Sequence, residues 1–414
     1  MSRALRSISV TFLLFGMPST PPAAAAAPLV DCDGLTATIV GTAGPDVLVG
    51  TAGDDVIHGG GGNDTIRAMG GDDVICGGGG RDVVRGGGGS DTVIGGRGRD
   101  SIEGGSQGDT LDGGRGDDTI DGEGDADLVD GGSDDDDLRG GKGDDVVLGG
   151  RGNDTIAGGG GADALVPGMG NDDVSGGKGI DLVSYFDVDG PVSLDLRAGT
   201  VVGAGADAVR GIESAEGTAG DDTLIGSRAG NIFFGLGGAD VLRGNGGEDL
   251  LLGEAGADEI AGGAGADTLV GGSGPDELHG GRGPDAVSYF DAPSGVTVSL
   301  VAGTATGGEG VDELRSVRDI VGSLRGDTIH GNAQDNVIRS RAGKDTVSGG
   351  DGDDRLFGAR GRDTIDGGSG NDLCAGAEVA TNCEVLAVLR RTGSTSGLWR
   401  IVDPARYLGA TLDG

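Results

Sequence analysis

Gly59-Gly60-Gly61-Gly62-Asn63-Asp64-Thr65-Ile66-Arg67 is one nine-residue unit of a pattern that decides the fold. The pattern reads G-G-x-G-x-D-x-U-x, with U aliphatic, and Gly149-Gly150-Arg151-Gly152-Asn153-Asp154-Thr155-Ile156-Ala157 is a second full copy. From Gly41 to Ser184 the beat runs through 16 consecutive units without a slip. It returns for eight units over 217–288 and for six over 322–375. The sixth place is Asp in 28 of the 30 units and Asn in two, Asn231 and Asn336. The eighth place is apolar in all 30. A strict period of nine with a carboxylate on every beat means a stacked solenoid that binds a hard cation.

Each place has a physical task. The first six residues are expected to form a turn and the last three a short strand. Gly at places 1, 2 and 4 permits backbone angles that other residues resist and lets carbonyl oxygens turn inward. Calcium takes about six to eight oxygen ligands. A place-6 carboxylate with loop carbonyls supplies half such a shell, and the turn stacked about 4.8 Å away supplies the rest. The place-8 residue points inward, so two units per coil bring two parallel sheets face to face. The expected fold is therefore all-β, a parallel β-roll or β-solenoid with two inserted strand-rich segments.

The expected ligands are the place-6 carboxylates. In the first block they are Asp46, Asp55, Asp64, Asp73, Asp82, Asp91, Asp100, Asp109, Asp118, Asp127, Asp136, Asp145, Asp154, Asp163, Asp172 and Asp181. In the second they are Asp222, Asp240, Asp249, Asp258, Asp267, Asp276 and Asp285, and in the third Asp327, Asp345, Asp354, Asp363 and Asp372. Asn231 and Asn336 lose a carboxylate, which weakens the nearby ions. At place 4, Asp125 and Asp134 put charge where Gly is usual.

These units resemble the RTX, or haemolysin-type calcium-binding, nonapeptide repeat. The resemblance covers about 270 of the 414 residues. It implies a parallel β-roll with calcium bound between successive loops. It says little about biological role, because that family attaches the module to toxins, proteases, lipases, epimerases and adhesins.

Composition agrees with a solenoid rather than with globular domains. Of 414 residues, 96 are Gly and only 3% are aromatic, too few large side chains for a conventional core. The formal net charge of −38 repels phosphate, which argues against nucleic acid and anionic membranes. Without cations such a chain repels itself, and each Gly costs entropy on ordering. No stretch reaches about 18 apolar residues, so no membrane span is expected.

Residues 1–27 read as a signal peptide. Arg3 and Arg6 form a basic start, Ile8 to Met17 an apolar run, and Ala23 to Ala27 a small-residue cleavage region, with the cut placed after Ala26. The expected location is secreted, extracellular. Four cysteines fit an oxidising compartment. Cys374 and Cys383 lie one unit apart, so a bridge there would close the C-terminal end, with Cys383 at the same inward place one unit on. Cys32 with Cys76 is a weaker pairing, and sequence does not choose among the three connectivities.

Residues 28–40 read as an N-terminal cap and 322–384 as the third block with its end. Two interruptions, 185–216 and 289–321, resemble each other. Ser184-Tyr185-Phe186-Asp187 returns as Ser288-Tyr289-Phe290-Asp291. Both alternate apolar and polar residues, as in Val192-Ser193-Leu194-Asp195-Leu196, and read as hairpin-like strands packed against the roll. Whether the three blocks form one roll stays open. The tail 385–414 holds Trp399 and either caps the last turn or stays unstructured.

No separate catalytic domain has room. His58, His279 and His330 are the three histidines, all at ninth places, without metal-ligand or triad spacing. The expected function is a non-enzymatic, secreted calcium-binding protein that folds on loading. A calcium-dependent adhesin, using the insertions 185–216 and 289–321 to hold a protein or glycan, is the alternative, and mutation of Tyr185 and Tyr289 would test it. A remnant or partner of an enzyme or toxin stands behind it.

Overall fold

A computed structural model of the chain describes residues 31–308, 310–383 and 385–387, the last three by backbone alone. The signal-peptide reading of 1–27 and most of the tail reading lie outside these residues. The described chain is all β, a parallel solenoid of about 19 turns. Each turn is 18 residues, two units, and contributes one strand to each of two sheets. In sheet I, Val56–Gly61 pairs in parallel with Val74–Gly79, which pairs with Thr92–Arg97. In sheet II, Thr65–Gly70 pairs with Val83–Gly88, which pairs with Ser101–Ser106. The register never drifts within a block, since Ile66 opposes Val84 and Val84 opposes Ile102.

The place-8 side chains make the core. Ile57, Ile66, Ile75, Val84, Val93 and their successors are fully buried between the sheets. A single row of aliphatic side chains from each face suffices because glycine-rich loops bring the sheets close. The strands are longer than the three residues expected. A typical strand, Ser101–Ser106, covers places 7 to 9 and then 1 to 3 of the next unit. Only places 4 to 6 turn the corner. The loop amides are themselves laddered, as when Gly62 N–H donates to Gly79 O at 2.7 Å, so pairing continues past the expected strand end.

The two interruptions stay inside the solenoid. After Leu182–Ser184, sheet I continues directly with Ser214–Glu216 and then Ile232–Phe234. Sheet II takes a meander instead. Asp173–Lys178 pairs in parallel with Ala206–Arg210, which is antiparallel to Thr200–Val202, itself antiparallel to Ser193–Asp195. Ser193–Asp195 then pairs in parallel with Thr223–Ile225. The second interruption repeats this with Gly310–Arg315, Thr304–Gly307 and Val296–Ser299. The hairpin strands are thus spliced into sheet II and do not pack against its outside. Sheet II becomes taller than sheet I there, and Tyr185, Val188, Val192 and Leu194 join the core at the mismatch. One ladder runs from the first block to the third.

Both ends carry disulfides. Asp31–Cys32 and Leu35–Thr36 form a small hairpin tied by Cys32 to Cys76, with Cα atoms 5.7 Å apart. Ile39–Val40, inside the segment read as a cap, is already the first strand of sheet I. Cys374 bridges Cys383, with Cα atoms 5.9 Å apart. Cys383 is not at the inward place one unit on. The coil shortens, so that Ile365 opposes Ala380 and Cys374 opposes Leu386. Cys383 lies in the turn between those strands, and Val385–Ala387, read as tail, is the last described strand of sheet I.

Candidate metal centre

The place-6 aspartates form two ladders, one along each side of the roll. Beyond the first coil of each block, each carboxylate uses Oδ1 to accept the backbone N–H of the place-6 residue one turn earlier. That residue is an aspartate for all but Asp249 and Asp354, where it is Asn231 and Asn336. Asp64 N–H donates to Asp82 Oδ1 at 2.8 Å, Asp82 N–H to Asp100 Oδ1 at 2.8 Å, and Asp100 N–H to Asp118 Oδ1 at 2.7 Å. On the other side Asp73 N–H donates to Asp91 Oδ1 and Asp91 N–H to Asp109 Oδ1, both at 2.8 Å. The main chain therefore fixes these laddered carboxylates in the same orientation.

The second oxygen is the chemical point. In 24 units the Asp Oδ2 atom is buried and has no hydrogen-bond partner, 14 in the first block, six in the second and four in the third. Among the described residues no ion pair includes a place-6 carboxylate. The described pairs, such as Arg85 with Glu103, sit on the outer faces. A buried carboxylate oxygen without donor or counter-charge is strongly unfavourable, and two dozen in register call for positive charge inside. Burial pushes these acids up, Asp82 and Asp91 to about 6, Asp127 and Asp172 to about 7 and Asp136 to about 8. Neighbouring ladder carboxylates push in the same direction.

Glycine leaves the space around these atoms. A Cβ on Gly95, at place 1, would lie 2.8 Å from Asp100 Oδ2 and 2.8 Å from the carbonyl oxygen of Gly113 one turn on. A Cβ on Gly77 would meet Asp82 Oδ2 at 2.7 Å and Gly95 O at 2.8 Å. Glycine holds place 1 in 21 of the 24 open units and leaves an oxygen-lined cradle there between turns, while Ala68, Pro167 and Ser340 stand at place 1 in the other three. Among the described residues no three His, Cys, Asp or Glu side chains converge as a metal cluster. The donor set is instead one carboxylate per turn with main-chain oxygens. An all-oxygen set of that kind suits a hard cation of calcium type and not zinc.

Not all 28 expected ligands are equivalent. Asp46 Oδ2 accepts Thr42 N–H at 2.6 Å and its hydroxyl at 2.8 Å. Asp55 Oδ2 accepts Thr51 N–H at 2.6 Å, Asp222 Oδ2 accepts Thr218 N–H at 2.5 Å, and Asp327 Oδ2 accepts Ser323 N–H at 2.8 Å. Asn231 and Asn336 are held the same way, by Ser227 N–H and Asn332 N–H, each at 2.8 Å. These six form the first coil of each block. Place 2 makes the difference. In all 24 open units its φ is positive, even where the residue is Met69, Glu123, Leu236 or Arg341. In the six closed units it is not, and the place-2 N–H turns onto the carboxylate.

Two further acids join the ladder from within the interruptions, where the period is lost. Asp172 N–H donates to Asp207 Oδ1 at 3.1 Å, and Asp276 N–H to Asp312 Oδ1 at 3.3 Å. Their Oδ2 atoms are taken by phenols, Tyr185 to Asp207 at 3.0 Å and Tyr289 to Asp312 at 2.9 Å.

Comparison with known proteins follows this geometry. The family model of the RTX calcium-binding nonapeptide repeat matches in overlapping copies over residues 40–165, 207–287 and 321–378. The chain belongs to this RTX repeat family. It is a calcium-binding β-roll, built on repeats through most of its length. No curated protein matches the chain. Among solved structures, a hyperactive, Ca2+-dependent, β-helical antifreeze protein from an Antarctic bacterium is 18% identical. The alignment covers 75% of this RTX chain and 83% of that one, with a TM-score of 0.15.

Proposed function

We propose that this RTX protein is a secreted, non-catalytic β-roll whose folding is switched by calcium at the 24 open units. The observation that carries the reading is the row of buried, unpartnered Asp Oδ2 atoms in phase with every turn. A bound divalent cation would supply the positive charge that the fold itself does not place beside them. The chain's own part is orientation: the Asp N–H of one turn fixes the carboxylate of the next, and place-1 glycine keeps the cradle open. At low calcium the carboxylates repel one another and the chain stays extended enough to be exported. Outside the cell, where modules of this affinity class load at roughly 10⁻⁴–10⁻³ M, it folds. The role is a rigid, acidic structural element.

The adhesin alternative cannot rest on its two tyrosines, although Phe186 and Phe290 of the same insertions are exposed. Tyr185 and Tyr289 are buried, with phenols hydrogen-bonded inside the roll, and do not reach a partner. His330 is exposed, and His279 meets the Ser316 hydroxyl at 3.3 Å on the outer face.

The test is far-UV circular dichroism of the chain through a calcium titration, with magnesium as control. A cooperative coil-to-β transition with calcium alone is expected. A chain already β-structured in chelator, and unchanged by calcium, would sink the switch.

A further inference from the structure

Each interruption seals the aspartate ladders with protein donors. Along sheet II the last open carboxylate of the first block is Asp172 and the first of the second block is Asp240. Between them stand Asp207, held by Tyr185, and Asp222, held by the N–H and hydroxyl of Thr218. On the other side Asp181 is the last and Asp249 the first. Between them Asp181 N–H meets Glu213 Oε2 at 3.2 Å, and Asn231 replaces an aspartate. The Asn231 amide accepts Ser227 N–H and donates through Nδ2 to Glu213 O at 3.1 Å. No carboxylate could make that second bond. The arrangement recurs with Tyr289 on Asp312, Ser323 on Asp327, and Asn336 donating to Arg318 O at 2.7 Å. The tyrosine, hydroxyl and asparagine bonds repeat at both interruptions, while the Glu213 contact belongs to the first alone among the described residues.

Within a block, successive open carboxylates are one strand spacing apart, about 4.8 Å, and interact strongly. Across an interruption the sheet II gap is five strand steps, through Ala206–Arg210, Thr200–Val202, Ser193–Asp195 and Thr223–Ile225 to Val241–Gly246. That is roughly 24 Å at the ordinary spacing. The sheet I gap is three steps, roughly 14 Å. Both are several times the spacing within a block, so the direct coupling between carboxylates falls off across the break. Solenoid stability is otherwise carried by nearest neighbours, and here the neighbours at the break need no cation.

We infer that the tyrosine-sealed interruptions divide one continuous roll into three calcium arrays that load independently of one another. The arrays hold 14, six and four open carboxylates. This rests on the calcium reading above and adds its regulation. Within an array, loading is cooperative. Between arrays, occupancy of one leaves the midpoint of the next unchanged.

The test is hydrogen-exchange mass spectrometry of the full chain across a calcium titration, comparing wild type with the double variant Asp258→Asn, Asp267→Asn. Asparagine keeps the Oδ1 acceptors for Asp240 N–H and Asp249 N–H while removing two charges from the middle array. Peptides from 240–285 are expected to need about tenfold more calcium for protection, while peptides from 64–181 and 345–372 shift less than about twofold. Midpoints of all three arrays moving together, or collapse of the whole roll in saturating calcium, would overturn the division. A wild type that gains no protection anywhere with calcium is a distinct result, and it removes the calcium reading itself along with the division.

Discussion

The phenol of Tyr185 donates to Asp207 Oδ2 at 3.0 Å, the carboxylate oxygen that is bare in 24 repeat units. A neutral hydroxyl there does locally what a cation is proposed to do elsewhere: it gives a buried carboxylate oxygen a partner. Tyr289 and Asp312 repeat the pair at 2.9 Å.

Removing that hydroxyl should therefore hurt stability without creating a void. Tyr185→Phe keeps the ring in the core and leaves Asp207 Oδ2 unpaired. A loss of about 1–3 kcal/mol is expected, with a similar loss for Tyr289→Phe. Urea unfolding in saturating calcium measures it. Unchanged midpoints in both variants would show that these carboxylates find another partner.

The open carboxylates also predict an inverted pH response in the absence of calcium. Burial pushes Asp136 up to about 8 and Asp118 and Asp240 up to about 7. The folded, cation-free roll thus binds more protons than the unfolded chain, whose carboxyls titrate near 3.9. Its stability is full below that value and is lost as pH rises through about 6–8. Calcium competes with these same protons. Circular dichroism should show more β structure at about pH 5 than at about pH 8 in calcium-free buffer. With calcium present, the folding midpoint should move to higher calcium as pH falls. A calcium-free chain equally unfolded at both pH values would contradict this.

Period, core and carboxylate phase were legible because each is a property of one residue type repeated at one place. Ile57 and Ile66 announce the inward row, and Asp64 and Asp82 announce the ladder. The open or closed state of each unit was not, because it depends on a backbone angle. Thr42, Thr51 and Thr218 are β-branched and resist a positive φ, so their presence at place 2 was a usable signal. Asn332 tolerates either sign, and Leu236 adopts the positive one against its preference, so there the stacked neighbours decide. Asp207 and Asp312 were hidden because the meander resets the count. They are adjacent to their ladder partners only in three dimensions, 35 and 36 residues from Asp172 and Asp276.

The Cys374–Cys383 bridge spans nine residues at the end of the stack. Replacing both cysteines by Ala removes a loop constraint of about 2–3 kcal/mol. In a quasi-one-dimensional fold this loss stays local. Exchange protection should fall over 364–383 and remain unchanged before 340. Loss of protection reaching the first block would mean that the end closure nucleates the whole roll.

The cradle itself is tested by two glycines with opposite surroundings. A methyl group on Gly95 would enter the space between Asp100 Oδ2 and Gly113 O, each 2.8 Å away. A methyl on Gly79 at place 3 meets nothing within 4 Å and needs no left-handed backbone. If the cradle is where the cation lies, the Gly95→Ala methyl crowds the cation and the carboxylate together, a strain the chain meets at place 1 in only three open units, Ala68, Pro167 and Ser340. Gly79→Ala removes the same conformational freedom from the unfolded chain and touches neither, so any stabilising effect of alanine alone appears there. Gly95→Ala is expected to raise the calcium midpoint of the first block about tenfold, a loss near 1.4 kcal/mol, while Gly79→Ala stays within about twofold of wild type. Calcium titrations followed by circular dichroism separate the two. Equal shifts would mean that the glycines serve the turn alone and that the oxygen-lined space beside Asp100 holds no ion.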